Sequence, residues 1–590
     1  MTAENSVSSA LLTLNPTTWT LVATSLLLSL LYGFRRMLPK PFPDIPYNED
    51  IGIFGDLPAF RRASKSGSIR PWLWSMSRKH NSPITQAFLI PFAKPFVIIS
   101  DYHETYDIIA RRTKEFDRAW LNIDEFSPFT PEHHVAMMSS DPRFKANREL
   151  VKGLMSPGML STEFAPVIYE KASHLIDLWK TKMDAAQGRP FAALDDLREV
   201  SWDLTLTLVF GFDEERKVLQ PHRDHLLSKG SSVAWTDSAD TASFARPPLA
   251  SQVQALAVMV KFLHFASIRF AKHLQIWILK RTKWRKYFQT KEKLLSKEIN
   301  KSAKRLHSAG SSDISRCKTV IDHILEKETV MAEKTKSRPN FNRPSIRDEA
   351  FGFFIAGSDT VSTSMGWTVK FLADNQIIQA KLRRQLRDSY CKAHGEKRQL
   401  EMSEMLHTSA PYLDAFIEES LRCGKTAPNL LRQATVDTEI LGHHIPKGTT
   451  VFLTVGGASI TEPAMPVADE ARSPSSLAHS QRLPSWDDDE IAQFKPERWL
   501  KTCDDETRTG TGEFDNLEYD CNAGPMLNFG AGPRACFGKR LAYLEMRTMI
   551  TLLVWNFTFE RCAPDLSSYA ERDEFTTVPT HCYVKLQRAE

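Results

Sequence analysis

Among the cysteines of this chain, Cys536 stands in a setting of its own. It lies in Phe529-Gly-Ala-Gly-Pro-Arg-Ala-Cys-Phe-Gly538, a loop of three glycines and a proline that runs directly into a helical pattern, Lys539 to Leu553. Glycines let a backbone pass close to a flat cofactor and take turns closed to other residues. A thiolate at Cys536 would lie beside the N-terminus of the following helix, where loop N–H groups and the helix dipole favour its charged form. The thiolate is also the form that ligates a metal. Arg534, two residues earlier, is placed to pair with an anionic group on the same cofactor.

Three further constellations carry chemistry. Arg347 to Asp374 reads as a long apolar helix containing Ala356-Gly357-Ser358-Asp359-Thr360. Gly357 there costs about 1 kcal/mol against alanine, and the Thr360 hydroxyl can divert the carbonyl of Ala356 and open the helical ladder. Local rules broken inside a core helix point to function: a hydroxyl can position a water, and a carboxylate can relay protons to it. Glu419 and Arg422 share one face of a helix entered through Pro411, with Gly424 as its expected stop. Phe494-Lys-Pro-Glu-Arg498-Trp499 follows, and earlier Asp141-Pro-Arg-Phe-Lys-Ala-Asn-Arg148 opens another helix. Arg432 precedes strand-like pieces and an expected turn over His443–Thr449.

Together the cysteine loop, Ala-Gly-Ser-Asp-Thr, Glu-x-x-Arg and Phe-x-Pro-Glu-Arg-Trp resemble, in order, the motifs of the cytochrome P-450 family; the resemblance spans roughly residue 40 to the C-terminus. It implies a mainly α fold, a helical triangular domain with a small β-rich part, behind an N-terminal transmembrane helix. It implies haem b (iron protoporphyrin IX) with Cys536 as axial ligand of the iron. Phe529, Arg534 and Gly538 would also border the cofactor, and Arg148 and Arg432 would meet its propionates. The family has Trp where this chain has Phe144, so an indole donor is missing there. Asp359 and Thr360 would be catalytic, Thr360 holding a proton-delivering water and Asp359 connecting it to solvent, with Gly357 leaving room for dioxygen. Glu419, Arg422 and Arg498 would form a buried structural triad. The implied reaction inserts one atom of dioxygen into a lipophilic small-molecule substrate. Electrons would come from NADPH–cytochrome P-450 reductase, with cytochrome b5 a second candidate. The wording of the motifs is most similar to fungal secondary-metabolism members. A haem-thiolate isomerase or dehydratase working without reductase, and a non-catalytic haem-binding protein, stay open as alternatives.

The remainder of the chain must carry these groups. Its 590 residues, 42% hydrophobic and 25% charged, make an ordinary globular composition, and a net charge of +5 is too slight to imply nucleic acid. The eight cysteines contain no Cys-x-x-Cys pair, so neither a zinc site nor a disulfide framework is expected. Trp19–Phe34 is apolar and uncharged, with Arg35, Arg36 and Lys40 after it and only Glu4 before it. That pattern predicts a membrane anchor over 1–36 with the rest of the chain cytosolic, on the endoplasmic reticulum, rather than a cleaved signal peptide. Residues 37–50, rich in proline, predict a stiff hinge, and 51–590 the catalytic domain. Short strands are expected at Ile84–Ile90 and Phe96–Ser100. Residues 460–490 and 502–520 look like insertions. Trp120, Phe126, Phe129, Phe353, Phe354 and residues 426–431 are candidates for an apolar pocket. Arg143, Lys145, Lys152, Lys539 and Arg540 are candidates for a redox-partner face.

Overall fold

The computed structural model describes residues 16–589, except 68, 229–233, 237–239, 265–271, 309–317, 428, 504–513 and 515. The elements used below are α1 (Pro16–Met37), β1 (Ile84–Ala87), β2 (Phe96–Ile99), α2 (Tyr102–Ala110), β3 (Phe116–Arg118), α3 (Pro142–Val151), α4 (Leu194–Phe210), α5 (Lys272–Leu279), α6 (Pro344–Asp374), α7 (Pro411–Gly424), β4 (Asn429–Ala434), β5 (Thr450–Thr454) and α8 (Lys539–Asn556).

Helices dominate, and α6 is the axis. Its 31 residues begin with a proline at the first turn, where the missing N–H costs nothing, and run unbroken through the Ala356–Thr360 motif. Two apolar clusters meet along it. Phe351, Phe354 and Ile355 pack with Leu150, Leu154 and Leu541, whereas Val361, Met365 and Val369 pack with Phe416, Ile550 and Leu553. Residues 356–360 belong to neither cluster, so the polar motif occupies the seam between two halves of the core. Glycines set the helix spacing. A Cβ at Gly357 would meet Thr205 of α4 at 3.2 Å, and one at Gly424 of α7 would meet Trp367 of α6 at 3.1 Å. Gly424 is thus the last helical residue rather than the stop, and Lys425 takes the left-handed cap, φ 48°.

The β-rich part is small. One sheet has the order β1–β2–β5–β4–β3, with β5 parallel to β2 and the other pairs antiparallel. The first strand ends at Ala87, three residues short of expectation. A second sheet joins Phe557–Glu560, Tyr583–Arg588, Phe191–Ala192, Thr241–Ser243 and Ala234–Thr236. Of the expected turn at His443–Thr449, Pro446–Thr449 is one, closed by Thr449 N–H to Pro446 O at 3.1 Å with Gly448 at positive φ, whereas His443–Ile445 is a strand paired with Thr438–Ile440, whose reversal falls on Leu441 and Gly442.

α1 is one helix of 22 residues, and Thr17–Arg35 within it, of mean hydropathy 1.4, buries none of itself in the protein. The proline-rich segment after it is pinned rather than free. Gln86 on β1 exchanges hydrogen bonds with the backbone of Phe42 and donates to the carbonyl of Ile45, whose side chain is buried in the sheet's apolar cluster. Among the described residues all seven cysteines are free thiols; Cys317 lies outside them.

The segment 460–490 is folded. Its helix Pro474–Ser480 lies on α2: Arg472 grips Asp101 with both guanidinium nitrogens (2.8 and 2.9 Å), and His479 stacks flat on Tyr106 at 4.1 Å. α2 in turn backs the cysteine loop, because a Cβ at Gly532 would meet Ile109 O at 2.5 Å and Ala110 Cα at 2.8 Å. Gly532, at φ +67°, therefore has two reasons to be glycine. For 502–520, Leu500–Thr502 pairs with Leu517–Tyr519, and most of the residues between lie outside the described set.

Candidate active site

The cysteine loop closes on itself through Cys536 N–H to Phe529 O and Gly530 N–H to Leu527 O, both 2.7 Å. Gly530 and Gly532 take the positive φ that the turn needs. Phe529 rests on Tyr543 of α8, ring centroids 5.2 Å apart, and fixes the loop's entry. Gly538 caps α8 at an ordinary φ of −81°, and a Cβ there would meet no protein atom within 4 Å. Neither its backbone nor its protein neighbours explain that glycine; a planar group lying against the loop would.

Cys536 keeps accessible surface. The N–H groups of Gly538 and Lys539 donate to its sulfur, as the position before a helix suggested. The expected consequence does not follow from the protein alone. Burial pushes the Cys536 thiol up, and those N–H groups with the Lys539 ammonium only partly offset it. A coordinated metal, which deprotonates a thiol outright, is what would draw the thiolate.

Beside the loop lies a concentration of arginines. Arg118 on β3 and Arg432 on β4 are cross-strand partners. Arg534 donates to Ser139 Oγ at 2.7 Å and to the carbonyls of His134 and Met137. Arg148 on α3 reaches Pro533 O in the loop itself. Burial lowers Arg118 to about 9, helped by the charges of Arg534 and Arg432; burial also lowers Arg432 and Arg534 to about 10 each. Asp117 is the carboxylate among them, 3.9 Å from Arg534. Its oxygens are occupied by the N–H groups of Arg118, Ser139 and Ser140. Arg118 Nε is buried with no hydrogen-bond partner among the described residues. Buried guanidiniums with so little counter-charge fit a cofactor that brings its own carboxylates. Phe144 lies where the resemblance expects an indole. Its ring carries the Arg534 guanidinium at 3.9 Å and that of Arg148 at 5.7 Å, so stacking orients the arginines in place of an N–H donor.

On α6 the Thr360 hydroxyl donates to Ala356 O at 2.8 Å, the diversion expected from the sequence, yet the helix stays continuous. Ser358, Ser362, Ser364 and Thr368 make the same kind of bond to carbonyls three or four residues back. Ala356 is exposed midway along this largely buried helix. Two expectations change here. Asp359 does not open to solvent: it is 4% exposed and accepts the Thr576 hydroxyl at 3.2 Å, which in turn accepts from the Thr363 hydroxyl at 2.8 Å. Gly357 is accounted for by Thr205 of α4 rather than by space on the cofactor side.

Glu419 and Arg422 are both fully buried and joined twice, at 2.7 and 2.8 Å. Arg498 Nε reaches Glu419 at 3.2 Å, Trp499 Nε1 at 2.9 Å and Lys495 N–H at 2.8 Å. Arg422 and Arg498 also bind the backbone carbonyls of Ile491, Gln493 and Glu490. One carboxylate thus organises a whole loop. Replacing Glu419 by alanine would strand Arg422 without its partner at about 3–5 kcal/mol; urea unfolding should show a loss of that order.

Two features escaped the sequence. Arg118 carries no motif, and only strand pairing brings it opposite Arg432. Glu349 on α6 receives His134 N–H and Nδ1, both 2.8 Å, and His133 Nε2 at 3.3 Å. This group has the composition of a metal site. However, His133 Nδ1 accepts Val135 N–H, so Nε2 carries the hydrogen and donates to Glu349. Burial raises Glu349 to about 7 and lowers His133 to about 4. The trio is a hydrogen-bonded strut between α6 and the segment that Arg534 holds.

Of the pocket candidates, Phe129 and Phe354 are buried in one cluster, with Phe126 and Phe353 packed against it; Trp120 is 37% exposed, and residue 428 lies outside the described set. Arg143 is engaged by Asp141 and Glu132, and Lys152 by Glu149. Lys145, Lys539 and Arg540 are exposed with no carboxylate partner among the described residues.

Comparison with known proteins decides the family. The Cytochrome P450 family model matches residues 48–460 and 486–585. The chain belongs to the cytochrome P450 family. The unmatched stretch between the two parts coincides with the segment that docks on α2. Similar curated proteins include the cytochrome P450 monooxygenase TRI13 of Fusarium sporotrichioides, 32% identical over 96% of this chain and 98% of that protein. The cytochrome P450 monooxygenase GME11363 of Pestalotiopsis microspora is 33% identical over 96% and 97%. The cytochrome P450 monooxygenase xilC of Penicillium rubens is 33% identical over 91% and 90%. The protein is accordingly a haem-thiolate oxidoreductase with haem as its cofactor.

Proposed function

We propose that this P450 is a membrane-anchored monooxygenase that inserts one oxygen atom from dioxygen into a lipophilic substrate of fungal secondary metabolism. The observation that carries the reading is the pairing of Cys536, served by two N–H donors, with the under-neutralised guanidiniums of Arg118, Arg148, Arg432 and Arg534. In this reading the Cys536 sulfur would ligate the haem iron, the arginines would take the propionates, and Phe529 and Gly538 would border the cofactor. Haem, when bound, supplies dioxygen activation, and the thiolate's electron push favours O–O cleavage. Thr360 has its own proton engaged at Ala356 O, so its oxygen accepts a hydrogen from a water and holds that water in place. Asp359, buried and anchored by Thr576, would pass protons towards it through the buried hydroxyls of Thr576 and Thr363 rather than directly from solvent. This acid–alcohol pair favours monooxygenation over peroxide rearrangement or simple haem binding. The fungal relatives support the metabolic setting.

Electrons would come from NADPH–cytochrome P-450 reductase, with cytochrome b5 as a second donor, at the face bearing Lys145, Lys539 and Arg540. Reversing charge at Lys145 and Lys539 together should slow reduction at low salt without changing substrate affinity; unchanged reduction kinetics would remove this docking face. α1, with arginines on its C-terminal side, supports a single anchor in the endoplasmic reticulum with the domain in the cytosol. Protease added to intact microsomes should digest the domain, and full protection would reverse the topology. The function itself is tested by oxygen and NADPH consumption in microsomes containing reductase. Consumption linked to an oxygenated product supports it, and product formation independent of NADPH points to the isomerase alternative.

A further inference from the structure

α5 buries Ile276 in the apolar core as expected but places a charge beside it and apolar side chains outside. Leu274, Trp277 and Ile278 face outward, each more than 45% exposed, while Lys272, on the inward side, is 1% exposed. Lysine is almost never fully buried unless paired. Here the ammonium has neither a hydrogen-bond partner nor an ion-paired carboxylate among the described residues. Three residues on, where a helix presents the same face, Gln275 Oε1 is also buried and without a partner among the described residues. A buried ammonium and a buried amide oxygen left unserved on one face are unfavourable and call for an explanation.

Their surroundings supply one. Lys272 Nζ lies 5.9 Å from the centre of the Phe129 ring. Phe129 belongs to the apolar cluster that holds Phe354 and Ile355, the residues just before the exposed Ala356, and Phe537, the neighbour of Cys536, packs against the same cluster. Burial lowers Lys272, opposed by the charges of Glu125 and Asp124; Glu125 also acts on Arg118 in the arginine group. The ammonium therefore lies beside the Phe129 ring, at the edge of an apolar cluster that also takes in Phe354, Ile355 and Phe537.

We propose that Lys272 is the specificity-determining residue for substrate, and that the substrate is a lipophilic carboxylic acid whose carboxylate it binds while the hydrocarbon part meets Phe129 and its neighbours. Gln275 offers an acceptor beside it for a hydroxyl of the same molecule. The proposal rests on the monooxygenase reading above and names its substrate class. It explains why a helix with apolar residues outside keeps a charge inside: the charge is held ready for an anion that repays its desolvation on binding.

The test is substrate-induced spin-state titration of the full-length haem protein with dodecanoate, abietate and 1-adamantanecarboxylate, each against its methyl ester. Wild type should bind at least one acid about tenfold or more tighter than its ester, the scale of one charge-assisted hydrogen bond. Lys272→Met should erase that preference by weakening the acid alone, and its thermal unfolding should not fall below that of wild type, since an unpaired buried charge is removed. Lys272→Gln, which keeps a donor but not the charge, should lose most of the preference and serves if the methionine variant fails to fold. No preference for any acid in wild type overturns the proposal, as does a preference that survives in either variant. The reduced carbon monoxide spectrum, recorded alongside, separates the two claims: its loss in wild type would sink the haem-thiolate reading, whereas its retention with no acid preference sinks only this one.

Discussion

Cys536→Ser removes the thiolate-type Soret band of the reduced carbon monoxide complex and takes turnover below detection. A hydroxyl cannot be drawn to its anion as a thiol can, and an alkoxide lacks the sulfur's electron push. The loop itself should survive. Its shape depends on the Cys536 and Gly530 N–H bonds, on the positive φ of Gly530 and Gly532, and on Ile109 behind Gly532, none of which involves the sulfur. Far-ultraviolet circular dichroism should therefore match wild type while the spectrum and the activity vanish. A variant that kept the band would place the ligand on one of the other seven cysteines. Burial makes that hard for Cys423 and Cys582, whose thiols are both pushed up to about 12.

Thr360→Ala acts on a different step. Only a small side chain and one hydroxyl bond to Ala356 O are lost, so haem content and fold should be almost unchanged. What goes is the oxygen that accepts a hydrogen from the delivering water. Proton delivery by a positioned group contributes ~10²–10⁴-fold, so product per NADPH should fall by about tenfold or more while NADPH oxidation continues and hydrogen peroxide appears. Asp359→Asn keeps the acceptor for Thr576 but removes the charge, and should slow turnover rather than uncouple it. Normal coupling in Thr360→Ala would reduce the motif to what its neighbours Ser358, Ser362 and Ser364 already do, which is to bond back along a buried helix.

The separate behaviour of these two variants reflects what the chain made legible. Cys536, the Ala356–Thr360 motif and the Glu419–Arg422–Arg498 set could be found because each needs particular residue types a few positions apart, and local spacing survives in the sequence. Phe144 was visible as a departure, but its use as a stacking surface for Arg534 was not, because the two are brought together only by the fold. Arg118 was invisible for the same reason, since strand register sets it opposite Arg432. The direction of Asp359 could not be read from spacing because one residue along a helix turns a side chain by about 100°, and Thr576, between the paired strands Glu571–Asp573 and Thr577–Pro579, closes that side. Residues 460–490 were recognisable as added, yet their seat on α2, behind Gly532, needed the three-dimensional pairing of Arg472 with Asp101 and His479 with Tyr106.

The central claim is that one sulfur, that of Cys536, holds the iron. Electron paramagnetic resonance of the ferric full-length protein tests it most directly. The narrow rhombic signal of a low-spin haem with a cysteine thiolate is the predicted result, absent from Cys536→Ser. A spectrum of nitrogen-only axial ligation in the wild-type protein would contradict it.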